Sequence, residues 1–432
     1  MSPDLVLRNA SLGDGRTVDV HVTGGLIVAV ETAGLTYPPG VQVDELGGML
    51  LMPAMAEPHA HLDKALTADV APNRTGDLMG AINAYVEAMS SGRFTHDDVV
   101  KRTSAALELL LTHGFTAVRT HVDVGAEVGV GAVKAVAEVR HSFRHLMDIQ
   151  IVALTHTPLS GADGIGNRRS MVEALTVGAD LVGACPALDV DGPAVIRAAL
   201  EVATDAGVGI DLHVDETLDA KILTLRELAR QVIQTGFSHR VNASHCVSLS
   251  MQSPEVQRQV ALEVAEARIS VVALPQTNLY LQGWDHVTAM PRGIVPIDVL
   301  RTAGVLVAAG ADNVQDPFNP VGRSDGLETA ALLVMAAHQD PQRAYDMVSN
   351  DARAVMGLAR ISMQPGDPAD LLAISVSSVR AAIADAPMSR RVYRRGVLVA
   401  SSTASAHIHR GGQSAAQDAA LLAGSKTPND LA

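Results

Sequence analysis

The sequence contains 432 residues, of which 47% are hydrophobic and 19% are charged. This length and composition fit a large, well-buried globular protein and exclude disorder over most of the chain. The 33 basic and 47 acidic residues give a formal net charge of −14, which repels nucleic acid and anionic membranes.

The cysteine content and the start of the chain indicate the cellular compartment. With only Cys185 and Cys246, the chain has no disulfide framework, which suits a reducing environment. No charged segment followed by an apolar core opens the sequence, and no apolar run reaches the length of a membrane span. We therefore predict a cytoplasmic protein that binds neither nucleic acid nor membranes.

The two ends of the chain alternate between apolar and polar residues, a pattern typical of half-exposed strands. The alternating segments cover residues 4–10, 17–22 and 26–30 at one end and 369–374 and 391–399 at the other. They predict a small β-sandwich-like domain formed by residues 1–52 together with residues 362–410. Residues 411–432 are rich in Ala, Gly, Ser, Gln and Asp without strand periodicity, and we expect a flexible tail there.

Between these ends the chain contains eight short apolar runs separated by helical patterns. Strands buried on both faces of a parallel sheet have this appearance, so eight of them predict a closed (β/α)8 barrel of the TIM type over residues 53–361. The apolar runs cover residues 50–58, 115–120, 149–155, 181–184, 208–212, 241–244, 269–274 and 305–310. The clearest helical patterns cover residues 97–112, 126–140, 193–206, 218–235 and 254–267.

The first run leads into Glu57-Pro58-His59-Ala60-His61, which carries the strongest chemical signal in the chain. Residues two apart on a strand point to the same side, so His59 and His61 can bind one metal ion at the strand end. A metal ion with open coordination positions makes hydroxide from water near neutral pH. The pair therefore predicts a metal-dependent hydrolase.

Further polar residues follow the later runs, at the barrel end where folds of this kind have their catalytic groups. They are His121, Asp123, His156, His213, Glu216, His245, Asp312 and Asn313. Four residues form a nitrogen and oxygen ligand set that suits zinc or iron, namely His59, His61, His213 and Asp312. A lone buried histidine is equally explained by structural hydrogen bonds, and that alternative stays open for His121, Asp123 and His156.

In combination these motifs closely resemble the amidohydrolase superfamily, and within it the branch of cytosine deaminase and N-isopropylammelide amidohydrolase. The resemblance covers nearly the whole chain, as far as Asp370-Leu371. The motifs that carry it are His59-Ala60-His61, the run from His213 to Glu216, Ser244-His245, Asp312-Asn313 and the segments 118–124, 148–153, 178–183 and 281–283.

The resemblance implies one divalent metal ion, zinc or iron, bound by the four candidate ligands. Cys185 follows the fourth run where two-metal branches have a lysine, so a single ion is expected. The implied reaction is a hydrolytic deamination in which Asp312 or His245 takes a proton from the attacking water. Glu216 then moves a proton to a ring nitrogen and to the leaving amine, while His245 stabilises the developing oxyanion.

Two positions depart from cytosine deaminase and concern the substrate. His156 stands where that enzyme has a glutamine that reads the amide edge of the pyrimidine, and Asn313 stands where it has a second aspartate. An imidazole cannot present the paired donor and acceptor of a carboxamide, so cytosine itself is not the expected substrate. Phe318 and Trp284 are expected to form apolar walls for a flat ring. The predicted substrate contacts are His156, Gln282, Asn313, Phe318 and Trp284.

The leading functional hypothesis is the release of ammonia or an alkylamine from a small N-heterocycle. The alternative is hydrolysis of a cyclic or linear amide. The same hydroxide would attack the amide carbon, and the product would be a carboxylate. A non-catalytic scaffold would be expected to have lost a ligand or Glu216, and all five positions are intact. By analogy with related enzymes, we also expect a homo-oligomer.

Overall fold

The computed structural model of the protein describes residues 3–408, and the tail predicted at residues 411–432 lies outside them. The first of two compact units of the chain ends at Ser402. Residues 403–408, which follow it, contain no helix or strand.

The two ends of the chain form one eight-stranded sheet, as the alternating segments predict. With labels in chain order, the strands are β1 (Leu5–Ser11), β2 (Thr17–Thr23), β3 (Leu26–Thr32), β4 (Gln42–Glu45), β5 (Leu50–Pro53), β14 (Leu371–Ile374), β15 (Arg390–Arg394) and β16 (Val397–Ser402). The neighbouring strands run in the order β16-β15-β14-β5-β1-β2-β3, and β4 also pairs with β1. All pairs are antiparallel except those of β1 with β4 and β5.

A second sheet of eight parallel strands forms the predicted barrel, and its strands pair in chain order. A single parallel bridge between Ala60 and Asp312 joins the first strand to the residues after the last. The strands are β6 (Met55–Ala60), β7 (Phe115–Val124), β8 (Asp148–Thr155), β9 (Leu181–Ala184), β10 (Ile210–Val214), β11 (Val241–His245), β12 (Ser270–Ala273) and β13 (Val307–Ala309).

Helices connect the barrel strands and pack their apolar faces against them. In chain order the helices are α1 (Leu78–Ser90), α2 (His96–Thr112), α3 (Gly131–Phe143), α4 (Ile165–Val177), α5 (Gly192–Ala206), α6 (Thr224–Thr235), α7 (Pro254–Glu266), α8 (Pro275–Leu281), α9 (Ile297–Thr302), α10 (Gly326–Ala337), α11 (Pro341–Met347), α12 (Asn350–Val355) and α13 (Val379–Asp385). None of the helices described between residues 3 and 408 is both long and apolar enough to span a bilayer.

Several predicted boundaries are wrong: the segment 391–399 is two strands, β15 and β16, and the strand predicted over residues 115–120 runs to Val124. Three further differences have clear physical reasons. The first apolar run is two strands, because residues 50–53 pair with β14 in the terminal sheet and the barrel strand starts only at Met55. The helix predicted from residue 126 begins at Gly131, because Gly125 and Gly129 first form a backbone bridge. The helix predicted from residue 218 begins at Thr224, where the side chain of Asp215 accepts the N–H of Thr224.

Candidate active site

Three barrel strands bring three histidines and one aspartate together at their carboxyl ends. His59 and His61 lie at the end of β6, His213 lies in β10, and Asp312 follows β13. The Nε2 atoms of His59 and His61 lie 3.2 and 3.1 Å from Nε2 of His213. Oδ1 of Asp312 lies 3.6 and 3.3 Å from the same two Nε2 atoms. All four residues are buried.

The spacing of these atoms suits a single metal ion. Ligand atoms held about 2.0–2.1 Å from a tetrahedral zinc ion lie about 3.3 Å apart, close to the distances between these atoms. Neither carboxylate oxygen of Asp312 has a hydrogen-bond partner among the described residues. Burying such an unpaired carboxylate costs free energy unless a cation binds to it. Burial, and then the neighbouring imidazoles, lower the pKa of His59 and His213 well below its usual range, so both rings are neutral as metal binding requires.

Among residues 3–408, two further groups of buried side chains have the spacing to hold an ion. One consists of His59, His213 and His245 and shares two members with the cluster at Asp312. The other consists of His59, His121 and Asp211. In that group the Arg119 guanidinium donates to Oδ2 of Asp211 at 2.6 Å, so a cation already neutralises the carboxylate. The cluster with Asp312 is therefore the better metal site.

A chain of hydrogen bonds orients His59. With its Nε2 directed towards His213, its Nδ1–H donates to Oγ of Ser244 at 2.8 Å. The Ser244 hydroxyl in turn donates to Oδ1 of Asp211 at 3.3 Å. Outer bonds of this kind fix the tautomer of a metal-binding histidine and the direction of its ring.

A second buried carboxylate, Glu57, contacts the backbone on both sides of the site. Its Oε1 accepts the N–H of His59 at 3.1 Å, and its Oε2 accepts the N–H of Ala311 at 2.9 Å. Burial raises the pKa of Glu57 to about 8. Both oxygens of Glu57 nevertheless face N–H donors. The ionised carboxylate can accept both hydrogen bonds, whereas a protonated carboxyl cannot. A bound cation would lower the pKa of Glu57.

Glu216 and His245 lie beside the candidate ligands. Oε1 of Glu216 is buried without a hydrogen-bond partner, 3.6 Å from Nδ1 of His245. Nδ1–H of His245 donates to Oδ1 of Asn278 at 3.1 Å, which leaves Nε2 as an acceptor. Burial, with a contribution from Asp312, raises the pKa of Glu216 well above its usual value. Burial also lowers the pKa of His245, so the buried environment favours the protonated form of Glu216 and the neutral form of His245.

The backbone at the strand ends is strained, as is common at functional sites. Asp215 anchors the loop that carries Glu216, because its Oδ1 and Oδ2 accept the N–H groups of Thr224 and Leu225 at 2.8 and 3.0 Å. The non-glycine residues with positive φ at these strand ends include Asp215 (51°), His245 (68°), Cys246 (52°) and Asp312 (67°).

A cavity of about 250 Å³ adjoins these groups. One apolar wall comes from α1, where Leu78, Ile82 and Tyr85 lie on the same helical face. Phe318 also lines the cavity, as the sequence predicts. An apolar wall facing a polar end suits a small flat ligand with one reactive edge.

His156 lines the same cavity and belongs to a chain of charged groups. Its Nε2 lies 3.3 Å from Oδ2 of Asp123, and Oδ1 of Asp123 accepts a hydrogen bond from Nζ of Lys64 at 2.7 Å. Burial alone would lower the pKa of His156, but the hydrogen bond and charge of Asp123 raise it above its usual value. His156 is therefore a cationic donor over more of the neutral range than a free histidine.

The other three predicted substrate contacts lie in two adjoining cavities. Asn313 lines the cavity, but its amide donates to Asp316 Oδ2 at 2.8 Å and accepts from the Thr277 hydroxyl at 3.1 Å. Gln282 and Trp284 line an adjoining cavity of about 510 Å³, which shares the Glu216 side of the site. Trp284 is 57% exposed, so its role as a wall stays a prediction.

Several residues of the site were not predicted from the sequence. The helical spacing of Leu78, Ile82 and Tyr85, after the capping residue Asp77, was a usable signal for α1. Lys64 lies three residues after His61, and its charge so close to the His-x-His motif was also a usable signal. Asn278 lies in the short helix α8 and carries no signal in the sequence that links it to His245.

The barrel and the cluster at its carboxyl end define the class of metal-dependent (β/α)8 hydrolases. Residues 79–403 match the profile of the amidohydrolase family, and the chain belongs to this family. It is therefore an enzyme that hydrolyses carbon–nitrogen bonds other than peptide bonds.

Individual relatives cover most of the chain. A pterin deaminase of Rhizobium rhizogenes is 32% identical over 88% of this chain and 87% of its own length. N-isopropylammelide isopropyl amidohydrolase of a Pseudomonas species is 25% identical over 92% of this chain and 97% of its own. The crystal structure of 5-methylcytosine deaminase from Klebsiella pneumoniae with phosphonocytosine superposes with a TM-score of 0.83, at 26% identity, over 94% of this chain and 99% of that one.

Proposed function

We propose that the protein is a metal-dependent deaminase that removes ammonia or an alkylamine from a small N-heterocycle by hydrolysis. The observation that carries this proposal is the convergence of three histidine nitrogens and Asp312 beside the buried carboxyl of Glu216. A cavity with one apolar wall gives these groups access to a flat ring.

One divalent ion, zinc or iron, fits the site better than two. Its ligands would be His59, His61, His213 and Asp312. When bound, the ion supplies hydroxide near neutral pH. A second ion is disfavoured because Asp211 is paired with Arg119, and because burial raises the pKa of the Cys185 thiol after β9 far above its usual value.

The protonation states assign roles to three side chains. Burial favours the protonated form of Glu216, which donates its proton to a ring nitrogen of the substrate. Glu216 then takes up the proton that the attacking water gives to His245 or Asp312 and passes it to the leaving amine. His245 presents an unprotonated Nε2 and accepts a proton from the attacking water, a task that Asp312 shares. Once protonated, His245 becomes a donor that stabilises the developing oxyanion.

We propose a pterin-like ring as the first substrate to examine. The identity to a pterin deaminase over most of both chains supports this class. His156 presents an imidazole, whose pKa Asp123 raises, where a carboxamide would be needed to read the amide edge of cytosine. An imidazole cannot present that donor and acceptor pair in the same geometry, which makes cytosine itself a poor substrate. Because the adjoining cavity on the Glu216 side offers space for the leaving group, an alkylamine is also accommodated.

We further propose that the enzyme acts in the cytoplasm and as a homo-oligomer. Its two cysteines are free, which suits a reducing compartment. The oligomeric state rests on analogy with related enzymes.

A release assay tests the proposal. Protein loaded separately with zinc and with ferrous iron is incubated with pterins, pyrimidines, N-alkylated triazines and cyclic ureas, and ammonia and alkylamine are measured. We expect amine from at least one ring, and release that is slower by about 10²–10⁴-fold from Glu216→Gln protein prepared in parallel. Carboxylate without amine from every compound would overturn deamination and favour hydrolysis of a cyclic amide.

A further inference from the structure

The barrel has a seam between its first strand, β6, and its last strand, β13. Six of the seven other neighbouring pairs share three or more paired residues, and β9 and β10 share the pair Val182 and Ile210. Among the described residues, β6 and β13 themselves form no ladder, and the bridge between Ala60 and Asp312 links the two sides. Two of the proposed metal ligands, His59 and Asp312, lie on opposite sides of this seam. Their separation therefore depends on how the seam is held closed.

The side chain of Glu57 crosses the seam. One carboxylate oxygen accepts the N–H of His59 in β6, and the other accepts the N–H of Ala311 beyond β13. Each N–H belongs to a ligand or to the residue next to one. The carboxylate therefore connects the backbone at both ligands through two hydrogen bonds.

Gly310 provides the space for this carboxylate. A Cβ atom at Gly310 would lie 2.1 Å from Oε1 of Glu57, so a side chain there would displace the oxygen that accepts the N–H of His59. The φ angle of Gly310 is not positive, so its backbone conformation does not require glycine. The requirement at this position is space next to the carboxylate.

We propose that Glu57 is a positioning residue that sets the distance between His59 and Asp312 and thereby the affinity of the site for its metal. This inference rests on the metal site of the proposed function. Glu57 is 2% exposed and is absent from the lining of the catalytic cavity, so it acts through the two ligands and does not touch the substrate. Both N–H groups are satisfied only if the side chain of residue 57 has two acceptor oxygens. The amide of glutamine has one oxygen and one NH2 group, so it can satisfy only one of them.

The test compares zinc affinity, measured by chelator competition, in the wild type and in two variants. Glu57→Gln places an NH2 group against one of the two N–H donors, and Gly310→Ala displaces the carboxylate without removing it. We expect each to weaken zinc binding about 10–100-fold, the usual range for groups that orient metal ligands. Saturating zinc should restore most of kcat, because the catalytic groups are unchanged.

A matched control separates positioning from a general loss of stability. Asp325 is also a buried carboxylate that accepts a backbone N–H, from Leu327, but it pairs with Arg390 and is absent from the cavity lining. Asp325→Asn should lower the melting temperature and leave zinc affinity unchanged. Equal affinity losses in Asp325→Asn and Glu57→Gln would overturn the positioning role.

A double-mutant cycle tests the mechanism of the Gly310 effect. In a Glu57→Ala background the added methyl group has no carboxylate to displace, so Gly310→Ala should cost no further zinc affinity. Additive losses would contradict the proposal, as would wild-type affinity in both single variants. Failure of the wild type itself to bind metal would overturn the proposed function and this inference together, so the two failures are distinguishable.

Discussion

Two buried polar clusters inside the barrel differ in how completely their groups are partnered. Arg119 donates to Oε1 of Gln150, to Oδ2 of Asp211 and to the carbonyl of Val355, and within residues 3–408 no buried side-chain atom of Arg119, Gln150 or Asp211 lacks a partner. At the carboxyl end of the strands, the buried atoms without partners include both oxygens of Asp312, Oε1 of Glu216 and Nε2 of His245.

The difference distinguishes polar groups that are buried for stability from polar groups that are buried at a functional site. Buried polar groups in folded proteins are normally hydrogen-bonded, and exceptions require an explanation. The Arg119 cluster follows this rule and stabilises the barrel interior. The Asp312 cluster does not follow this rule, and a cavity gives ligands access to it, so its unpartnered atoms are available to a metal ion and a substrate.

The largest effect is expected from the acid at the unpartnered cluster. Glu216→Gln removes the transferable proton while it preserves the size of the side chain, and turnover should fall about 10²–10⁴-fold. Metal content and melting temperature should stay close to the wild type. Steady-state kinetics with saturating metal measure the effect, and turnover near the wild-type rate would refute the proton-transfer role.

Breaking the partnered cluster should affect stability. Arg119→Met leaves Asp211 buried without its cation, and we expect a loss of about 3–5 kcal/mol in the free energy of unfolding. Denaturant unfolding of the metal-free protein measures this loss. The matched control is Arg140→Met, which removes a partly exposed pair with Asp180 and should cost less than about 1 kcal/mol. Similar losses in both variants would remove the distinction between the clusters.

A smaller effect is expected where the two clusters meet. Ser244→Ala removes the acceptor of Nδ1–H of His59, and zinc affinity should fall about tenfold. Ser250→Ala serves as the control, because its hydroxyl donates to the carbonyl of Val247 away from the ligands. Chelator competition measures both variants, and unchanged affinity in Ser244→Ala would show that the bond does not orient His59.

The smallest effect concerns pH. Because Asp123 raises the pKa of His156, the pair stabilises the fold fully below about pH 6.5, the unfolded value, and this stabilisation is lost as the pH rises through the folded pKa. The difference in melting temperature between the wild type and His156→Gln should therefore be largest near about pH 6 and shrink in alkaline buffer. A difference that does not vary with pH would exclude a charged His156.

The barrel could be predicted from the sequence, and the candidate ligands could be selected, because both leave local signals. Each buried strand is a continuous apolar run, and His59, His61 and His213 lie at or just past the ends of such runs. Strand ends of one barrel meet at one face, so the cluster follows from the fold. The terminal sheet was similarly visible in its alternating segments.

The remaining features depend on contacts between distant segments. The assignment of residues 50–53 to the terminal sheet follows from pairing with β14, more than 300 positions away in the chain. Likewise, the link of His245 to Asn278 and the hydrogen bond of Glu57 to Ala311 become apparent only when the strands are side by side. The domain boundaries and the roles of the catalytic, metal-binding and substrate-binding residues stay predictions.

The most direct test of the account is the metal content of the purified protein, measured together with its amine-releasing activity before and after complete metal removal. The account predicts one ion per chain, loss of activity on removal, and recovery when one equivalent of zinc or ferrous iron is added. An Asp312→Ala variant should retain neither the ion nor the activity. Full activity without metal, or two ions per chain, would contradict the central claim that the unpartnered cluster holds one catalytic ion.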